Sequence, residues 1–147
     1  MIETKIFNEN NKPSNEEKQA ILDFLFQNLE NYGDPKADIE KAMDFALKNY
    51  TSFGGLLLVS YNNDKQITGA VVLNQTGMKD YIPENILVYI ATHKNVRGQG
   101  IGKHLMAETI KHANGNIALH VEPDNPAKFL YEKVGFTNKY LEMRLIK

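Results

Sequence analysis

The sequence contains no cysteine and no tryptophan among its 147 residues. Without cysteine the chain has no disulfide bond, no catalytic thiol and no thiolate ligand for a metal ion. The lack of cysteine also agrees with a reducing compartment, so we expect a cytoplasmic location. No apolar run is long enough to span a bilayer, and residues 1 to 20 are polar without a signal-peptide core, so we expect no membrane association.

The sequence also has almost no net charge. The 18 acidic residues and 17 basic residues leave a formal net charge of −1. A balance of this kind gives no overall attraction to nucleic acid, so we expect no nucleic-acid partner, and any attraction for an anion must be local. The length and the 42% of hydrophobic residues predict a single compact domain over residues 1–147.

A glycine-rich stretch is the most informative feature that is present. Residues 96 to 102 read Val-Arg-Gly-Gln-Gly-Ile-Gly, and a helical pattern of apolar residues follows directly. Glycine lets the backbone come close to a ligand, and the free N–H groups of a helix N-terminus attract anions. The stretch therefore predicts a site for a phosphate or pyrophosphate. It is not a P-loop, which needs Ser or Thr at His104, nor a dinucleotide fingerprint, which needs Gly at Lys103.

The hydrophobic periodicity predicts one strand, two helices, three strands, a helix, a strand, a helix and a last strand. The predicted strands cover residues 2–7, 55–61, 66–73, 86–92, 116–121 and 140–146. This order predicts an α/β chain with a mixed sheet and helices on both faces. The almost unbroken apolar run of 86–92 indicates a central strand, with the glycine-rich stretch at its carboxyl end.

Local signals predict how some of these elements begin and pack. Ser14 and Glu17 have the spacing of a capping box, and Asp34 and Pro35 are typical of an N-cap and a first helical residue. Gly69 inside a strand indicates a bulge or a close backbone approach. The third helix is predicted to bury one apolar face, made of Ile101, Leu105, Met106 and Ile110.

Two motifs resemble those of the Gcn5-related N-acetyltransferases (GNAT family). Residues 97–102 are similar to the family's R-x-x-G-x-G loop, and residues 125–136, Asn-Pro-Ala-Lys-Phe-Leu-Tyr-Glu-Lys-Val-Gly-Phe, to its N…A…LYEK-GF block. The order and separation of the motifs match one domain of that family. The resemblance implies the GNAT fold, acetyl-CoA as cosubstrate without a metal, and a small-molecule or peptide amine as acceptor. Dimers are common in this fold, so a homodimer is the expected assembly.

The resemblance also implies which residues bind acetyl-CoA. The backbone at the glycine-rich stretch would hold the pyrophosphate: Arg97, Gly98, Gln99, Gly100, Ile101, Gly102 and Lys103. The strand edge at Ile90, Ala91 and Thr92 would pair with the pantetheine arm, and an N–H near Ile90 would hold the acetyl oxygen. Asn125 and Lys128 belong to the second motif and would touch the same arm. Asn125 is equally suited to cap a helix before Pro126, and because the motif is one residue short here, Asp124 can take its place.

Tyr131 is the candidate general acid, since the tyrosine of this motif protonates the leaving thiolate in the family. Its alternative is a tyrosine that only packs in the core. For the general base, some relatives carry a Glu where this chain has His120, and a histidine, with an ordinary pKa of about 6.5, suits that task. Glu122 lies on the same side of the strand and is expected to orient the imidazole. A structural histidine and a solvated carboxylate are the alternatives.

The acceptor side is the least determined part of the prediction. Glu30, Tyr32 and Tyr140 are its candidates, because acidic and aromatic groups suit a cationic amine. No metal site is expected, since His104 and His112 lie two turns apart on one helix and form no ligand pair. Two other functions remain open: an acyl-CoA-binding module without catalysis, and a nucleotide-phosphate binder unrelated to CoA.

Overall fold

The fold is a five-stranded sheet flanked by helices, in a computed structural model that describes residues 2–147. The strands lie side by side in chain order: β1 (Glu3–Phe7), β2 (Gly55–Tyr61), β3 (Ile67–Gln75), β4 (Asn85–Thr92) and β5 (Ile117–Leu119). The pairs β1–β2, β2–β3 and β3–β4 are antiparallel, and β5 runs parallel to β4. The predicted mixed sheet is therefore confirmed.

Helices cover both faces of this sheet, as predicted. They are α1 (Asn15–Leu29), α2 (Lys36–Leu47), α3 (Ile101–His112) and α4 (Lys128–Lys133), with short 3₁₀ turns at Glu30–Tyr32 and Lys94–Val96. On one face α1 and α2 bury an apolar cluster that includes Leu25 and Met43. On the other face α3 and α4 bury a second cluster that includes Leu105 and Met106. The sheet thus separates two apolar layers.

The two predicted helix starts have different outcomes. The capping box of α1 is confirmed, since Ser14 Oγ accepts the Glu17 N–H at 3.1 Å and the Glu17 carboxylate accepts the Ser14 N–H at 2.9 Å. The start of α2 is wrong by one residue, because Pro35 is the N-cap and Lys36 the first helical residue. Asp34 does not cap the helix. Its carboxylate accepts the hydroxyl of Tyr89 at 2.5 Å, a long-range partner that a local pattern does not reveal.

Close packing of α3 on β3 explains the glycine inside β3. A methyl group on Gly69 would lie 2.4 Å from Leu105 Cδ1, so only glycine lets the helix come this near. The pairing also shifts here, since Ser60 opposes Gly69 and Tyr61 opposes Ile67, which leaves Thr68 as the extra residue of a bulge. Of the two predicted alternatives, the bulge is confirmed, and the close contact at Gly69 is with side chains, of which Leu105 of α3 is the nearest.

One residue of the predicted face of α3 is wrong. Ile110 is exposed, and Thr109 is buried in its place. Thr109 lies one turn after Leu105, and its hydroxyl donates to the Leu105 carbonyl at 2.8 Å, which satisfies the polar group inside the core. With its hydroxyl hydrogen-bonded in this way, Thr109 takes the buried position that the hydrophobic pattern assigns to Ile110.

The predicted last strand is wrong. Residues 140–146 have no strand conformation, and the sheet ends at β5. Apolar and polar residues alternate in this segment, which fits a strand, but a strand also needs a partner edge. The adjacent β5 has three residues, against six in the predicted strand of 116–121, and forms no ladder with the segment.

Candidate active site

A gap opens in the sheet where β4 and β5 separate. Their pairing consists of Asn85 with Ile117, Ile86 with Ala118 and Leu87 with Leu119, and it stops there. β4 continues to Thr92, so its edge toward β5 has no strand partner beyond Leu87. The predicted strand edge for the pantetheine arm, Ile90 to Thr92, lies along this gap.

The alternation of the ladder shows which peptide groups face the gap. The N–H of His93 donates to the Thr68 carbonyl at 2.8 Å, toward β3. In an antiparallel pair every second residue bonds to the same neighbour, so Ala91 also bonds to β3, where it opposes Ala70. The N–H and C=O groups of Ile90 and Thr92 therefore point into the gap.

A bulge in β4 sets this orientation. Val72 opposes Tyr89 and Leu73 opposes Leu87, so Val88 is the extra residue. Val88 and Tyr89 both pack in the cluster under α1 and α2, whereas Ile90 packs on the α3 side. Bulges of this kind redirect side chains next to functional sites. Nothing in the run of apolar residues from 86 to 92 indicates where the extra residue lies.

The glycine-rich stretch lies at the carboxyl end of β4, as predicted, and leads into α3. Gly100 is the N-cap of α3 with no side-chain cap, and both Gly98 and Gly100 have φ of +83°. Within residues 2–147, the main-chain N–H groups from Gly98 to Lys103 have no protein acceptor. A side chain built on Gly98 or Gly100 would meet nothing within 4 Å. Open space and free donors thus coincide at the positive end of α3.

Arg97 ties this stretch to the end of α1. Its guanidinium donates to the Asn28 carbonyl at 2.9 Å and pairs with the Glu30 carboxylate at 3.2 Å. Asn28 is buried, and its Oδ1 accepts the Lys94 N–H at 3.1 Å. The structure thus pairs a residue predicted to bind the cofactor with one predicted to bind the acceptor.

Asn28 itself was missed by the sequence reasoning. The signal was its position, because it lies four residues after Phe24 and seven after Ile21, on the apolar face of α1. A polar side chain at such a position must find a partner inside the protein.

Tyr131 lies on α4 in the same apolar cluster as Ile90 and Ile101. The residue is 8% exposed, and burial raises the pKa of its hydroxyl to about 12. Its ring meets Phe136 edge-on, with centroids 6.1 Å apart. The phenol therefore keeps its proton at all ordinary pH values.

The helix that carries Tyr131 packs against the glycine-rich stretch. A methyl group on Gly102 would lie 3.2 Å from Leu130 Cδ2 and 3.8 Å from Thr92 Cγ2. α4, the first turn of α3 and the end of β4 thus meet at one place. The residues predicted to bind acetyl-CoA and the predicted acid are brought together here.

The second motif begins with a turn that precedes α4. Asn125 Oδ1 accepts the Ala127 N–H at 2.9 Å, and the Asn125 carbonyl accepts the Lys128 N–H at 3.1 Å. The side-chain oxygen of Asn125 thus has a partner in the turn before α4, whereas the N-cap of α4 is Ala127, which has no side-chain cap bond. Lys128 is half-buried as the first residue of α4.

His120 follows the last residue of β5 and is largely exposed. The carboxylate beside it is that of Glu142, whose Oε1 lies 4.0 Å from His120 Nδ1. Within residues 2–147, no ion pair links Glu122, the residue expected to orient the imidazole, to His120. The structure thus gives His120 a contact with the C-terminal segment, and its orientation by Glu122 stays a prediction.

The loop between α1 and α2 reaches the loop between β5 and α4. The hydroxyl of Tyr32 donates to the Asp124 carbonyl at 3.3 Å. Partial desolvation, and then the charges of Asp124 and Glu122, raise the pKa of Tyr32. Tyr140, the third predicted acceptor residue, is 78% exposed and lies in the unpaired C-terminal segment.

Asp34 and Tyr89 form a second acidic and aromatic pair. Tyr89 directly precedes Ile90 on β4, and burial, together with its hydrogen bond to Asp34, raises the pKa of its hydroxyl. This bond fastens the loop before α2 to the strand that borders the gap. The loops that follow α1 thus contribute two contacts of phenols with acidic residues, Tyr32 with Asp124 and Asp34 with Tyr89.

Two further features of the described residues concern metal-binding groups and membrane-spanning helices. Over residues 2–147, no three or more His, Asp or Glu side chains are grouped so that they can hold a metal ion. In the same part of the chain, no helix is long and apolar enough to cross a membrane.

Known proteins share the sequence pattern and the fold. Residues 54–138 match the family model of the acetyltransferase (GNAT) domain. A transcriptional regulator from Bacillus halodurans C-125 has a TM-score of 0.70 at 17% identity, covering 99% of this chain and 100% of that one. A GNAT-family acetyltransferase from Streptococcus pneumoniae TIGR4 has a TM-score of 0.68 at 19% identity, covering 100% and 98%. Likeness at such identities shows the fold alone.

A protein from Pyrococcus horikoshii OT3 is 25% identical, with a TM-score of 0.65 and coverage of 92% of this chain and 89% of that one. Among curated protein sequences, none matches this chain.

Proposed function

We propose that this chain, which belongs to the GNAT acetyltransferase family because the family model matches more than half of it, transfers an acetyl group from acetyl-CoA to a primary amine. One observation carries the proposal. The free peptide groups of Ile90 and Thr92 line a gap in the sheet, and the unpaired N–H groups of residues 98–103 lie at the end of the same strand. Acetyl-CoA matches both features, because its pantetheine arm carries amide groups and ends in a pyrophosphate.

Acetyl-CoA binding would use the main chain more than side chains. The amide-bearing arm adds to the free edge of β4 as a strand would, and the pyrophosphate receives hydrogen bonds from the start of α3. Lys103 and Gln99 are exposed beside these donors, so their side chains are free to approach the phosphates. Arg97 serves this site by fastening the stretch to α1 through Asn28 and Glu30.

The transfer is a direct attack in a ternary complex, since the chain has no cysteine to carry an acyl group. The amine nitrogen bonds to the thioester carbonyl carbon, and the Ile90 N–H donates to the oxygen as it becomes negative. The carbon–sulfur bond then breaks, and the Tyr131 hydroxyl protonates the departing thiolate. His120 takes the proton that the amine loses, directly or through water.

The acceptor is a cationic amine, on a small molecule or a peptide. Tyr32, Asp124 and Glu122 combine an aromatic ring with negative charge on the acceptor side. A protonated amine is drawn to such a surface before it loses its proton. Of the predicted acceptor residues, Glu30 lies in the same 3₁₀ turn as Tyr32, and its carboxylate pairs with Arg97.

Two measurements on the purified chain test the proposal. Calorimetry with acetyl-CoA should show binding, whereas ATP and NAD at the same concentration should not compete. A thiol-release assay with a panel of small amines and peptides should then detect turnover, without background from the protein because it has no thiol. Binding without turnover on any amine would favour the acyl-CoA-binding module, and stronger binding of ATP or NAD would favour a nucleotide binder.

A further inference from the structure

The glycine-rich stretch is not held in place by hydrogen bonds from its own N–H groups. Within residues 2–147, the main-chain N–H groups from Gly98 to Lys103 have no protein acceptor. Glycine also gives the backbone more conformational freedom than any other residue, so the glycines do not fix the direction of these donors. Their direction is therefore set at the two ends of the stretch, by α3 on one side and by the 3₁₀ turn of residues 94–96 on the other.

Two side chains hold the turn of residues 94–96. Asn28 Oδ1 accepts the Lys94 N–H at 3.1 Å. His93 Nδ1 accepts the Asn95 N–H, also at 3.1 Å, and is thus the N-cap of the turn. The carbonyl of His93 accepts the N–H of the last residue of the turn at 3.0 Å. Three consecutive N–H groups between β4 and the glycine-rich stretch are therefore bonded, two of them to side chains.

Both side-chain acceptors are anchored on Phe24 of α1. Asn28 is 6% exposed, and its Nδ2 donates to the Phe24 carbonyl at 2.9 Å. An amide bonded at both ends has one orientation, so the oxygen of Asn28 is directed at the turn. The ring of His93 packs beside the ring of Phe24, with centroids 6.3 Å apart. The main-chain N–H of His93 donates to the Thr68 carbonyl of β3 at 2.8 Å, which fixes the other side of this residue.

We propose that Asn28 and His93 are positioning residues for acetyl-CoA. By holding the turn, they direct the free N–H groups of residues 98–103 toward the pyrophosphate, so binding does not first have to order this segment. They act through the main chain and need no contact with the ligand. The proposal rests on the proposed function, because it takes acetyl-CoA as the ligand of the glycine-rich stretch. It adds two residues that lie outside both motifs.

The loss of either acceptor should affect ligand binding more than folding. Lys94 and Asn95 are exposed, so water can bond to their N–H groups when a side-chain acceptor is removed. No buried donor is then left without a partner. The turn becomes less ordered, and acetyl-CoA must order it again on binding, which lowers the affinity.

Calorimetry with acetyl-CoA tests the role of Asn28. Asn28→Ala should weaken acetyl-CoA binding at least tenfold relative to the wild type. Asn74→Ala is the matched control, because Asn74 is also buried and its Nδ2 donates to a helix carbonyl, that of Ala42, at 3.3 Å. Asn74 opposes Ile86, at the end of β4 away from the stretch, so this variant should keep the affinity within twofold. Equal affinities of the two variants would overturn the role of Asn28.

A conservative exchange tests His93 in the same assay. His93→Leu keeps an apolar side chain beside Phe24 but has no acceptor for the Asn95 N–H, so it should weaken acetyl-CoA binding by a similar factor. His93→Asn should restore the affinity, because an asparagine oxygen at an N-cap accepts the same N–H group. The role of His93 would be overturned by an asparagine variant that binds as weakly as the leucine variant.

Nitrogen-15 relaxation of the free protein gives a second readout that needs no ligand. In the wild type, the amides of residues 94–103 should be as ordered as those of β4. Asn28→Ala and His93→Leu should make them mobile on the nanosecond timescale, and Asn74→Ala should not. A mobile stretch in the wild type would overturn the proposal. A wild type that binds no acetyl-CoA would overturn the proposed function and this role together, whereas unchanged affinity in both variants would overturn this role alone.

Discussion

Tyr131 combines a buried ring with a hydroxyl that keeps its proton. Burial raises its pKa to about 12, so the phenol is protonated throughout the range in which a transferase works. A phenol of that pKa is a weak acid toward a thiolate in water. The same desolvation acts on a thiolate formed beside it and makes the thiolate a stronger base, so the proton can still pass from oxygen to sulfur.

Replacing Tyr131 by phenylalanine should therefore affect the chemical step. We expect Tyr131→Phe to lower kcat by on the order of 100-fold, the range found for a lost general acid, and to change the KM for acetyl-CoA little. Thiol release under saturating amine measures both. Tyr81→Phe, an exposed tyrosine on another loop, is the control and should keep full activity. A kcat within twofold of the wild type would remove Tyr131 from the mechanism.

The raised pKa of Tyr131 also predicts a pH dependence of stability. The pKa of the Tyr131 hydroxyl is about 10 in the unfolded chain and about 12 in the folded chain, so the folded state holds the proton more tightly. The contribution of this proton to the free energy of unfolding is fully present below pH 10 and is lost as the pH rises toward 12.

Between pH 9 and pH 11, the wild type should therefore lose about 1 kcal/mol more of its free energy of unfolding than Tyr131→Phe does. Urea unfolding at both pH values measures the difference. Tyr89, whose pKa is also raised, is present in both proteins and cancels. Equal losses in the two proteins would show that the phenol is not desolvated in solution.

The start of α3 is the element on which acetyl-CoA binding depends. Its donors are free because Gly98 and Gly100 turn the backbone with positive φ and leave space beside it. An alanine at either position costs about 1–2 kcal/mol for its backbone conformation alone. It would also place a methyl group where the ligand approaches, so two effects must be separated.

Gly135 provides the matched control, because it also has positive φ with nothing near a built side chain, but lies after α4. Gly100→Ala and Gly135→Ala should both lower the free energy of unfolding by about 1–2 kcal/mol. Only Gly100→Ala should weaken acetyl-CoA binding, by more than tenfold in calorimetry. Equal affinities in the two variants would contradict the assignment of the pyrophosphate to this turn.

Elements that are specified by nearby residues were predicted well from the sequence. The capping box of α1 involves two residues three positions apart, and the glycine-rich stretch spans residues 96–102. Both patterns therefore lie within a few consecutive residues of the sequence. The strand predicted over 140–146 failed because a strand is completed by an edge elsewhere in the sheet. The alternation of apolar and polar residues in this segment does not show whether a partner edge is present for it.

At the scale of the whole molecule, the sheet divides the core into two clusters. Leu25 is fully buried under α1 and α2, and Met106 is fully buried under α3. Strands β2, β3 and β4 contribute side chains to both clusters, so neither cluster can open without disturbing the other. We expect the chain to unfold as one cooperative unit.

Two large-to-small substitutions test this expectation. Leu25→Ala and Met106→Ala should each lower the free energy of unfolding by about 2–5 kcal/mol and keep a single transition with an unchanged denaturant slope. Urea unfolding, followed by circular dichroism and by tyrosine fluorescence, gives both values. Two separate transitions in either variant would indicate that the faces of the sheet unfold independently.

Long-range contacts limited the prediction of the site. The fold class, the position of the glycine-rich stretch and the closeness of α4 to it followed from the sequence and the family resemblance. The pairing of Arg97 with Glu30 and Asn28 did not, because it joins residues 67 and 69 positions apart. The bulge at Val88 was equally hidden, since an apolar run gives no sign of which residue is the extra one.

The gap beside β4 has a consequence for how the sequence can vary in evolution. Its recognition groups are peptide N–H and C=O groups, which nineteen of the twenty amino acids supply alike, so exchanges at position 90 or 92 leave them in place. Genetic drift can therefore rewrite the side chains of this cleft while its donors persist. Proline alone deletes the N–H donor, so Ile90→Pro removes that group from the gap, which no other exchange at this position does.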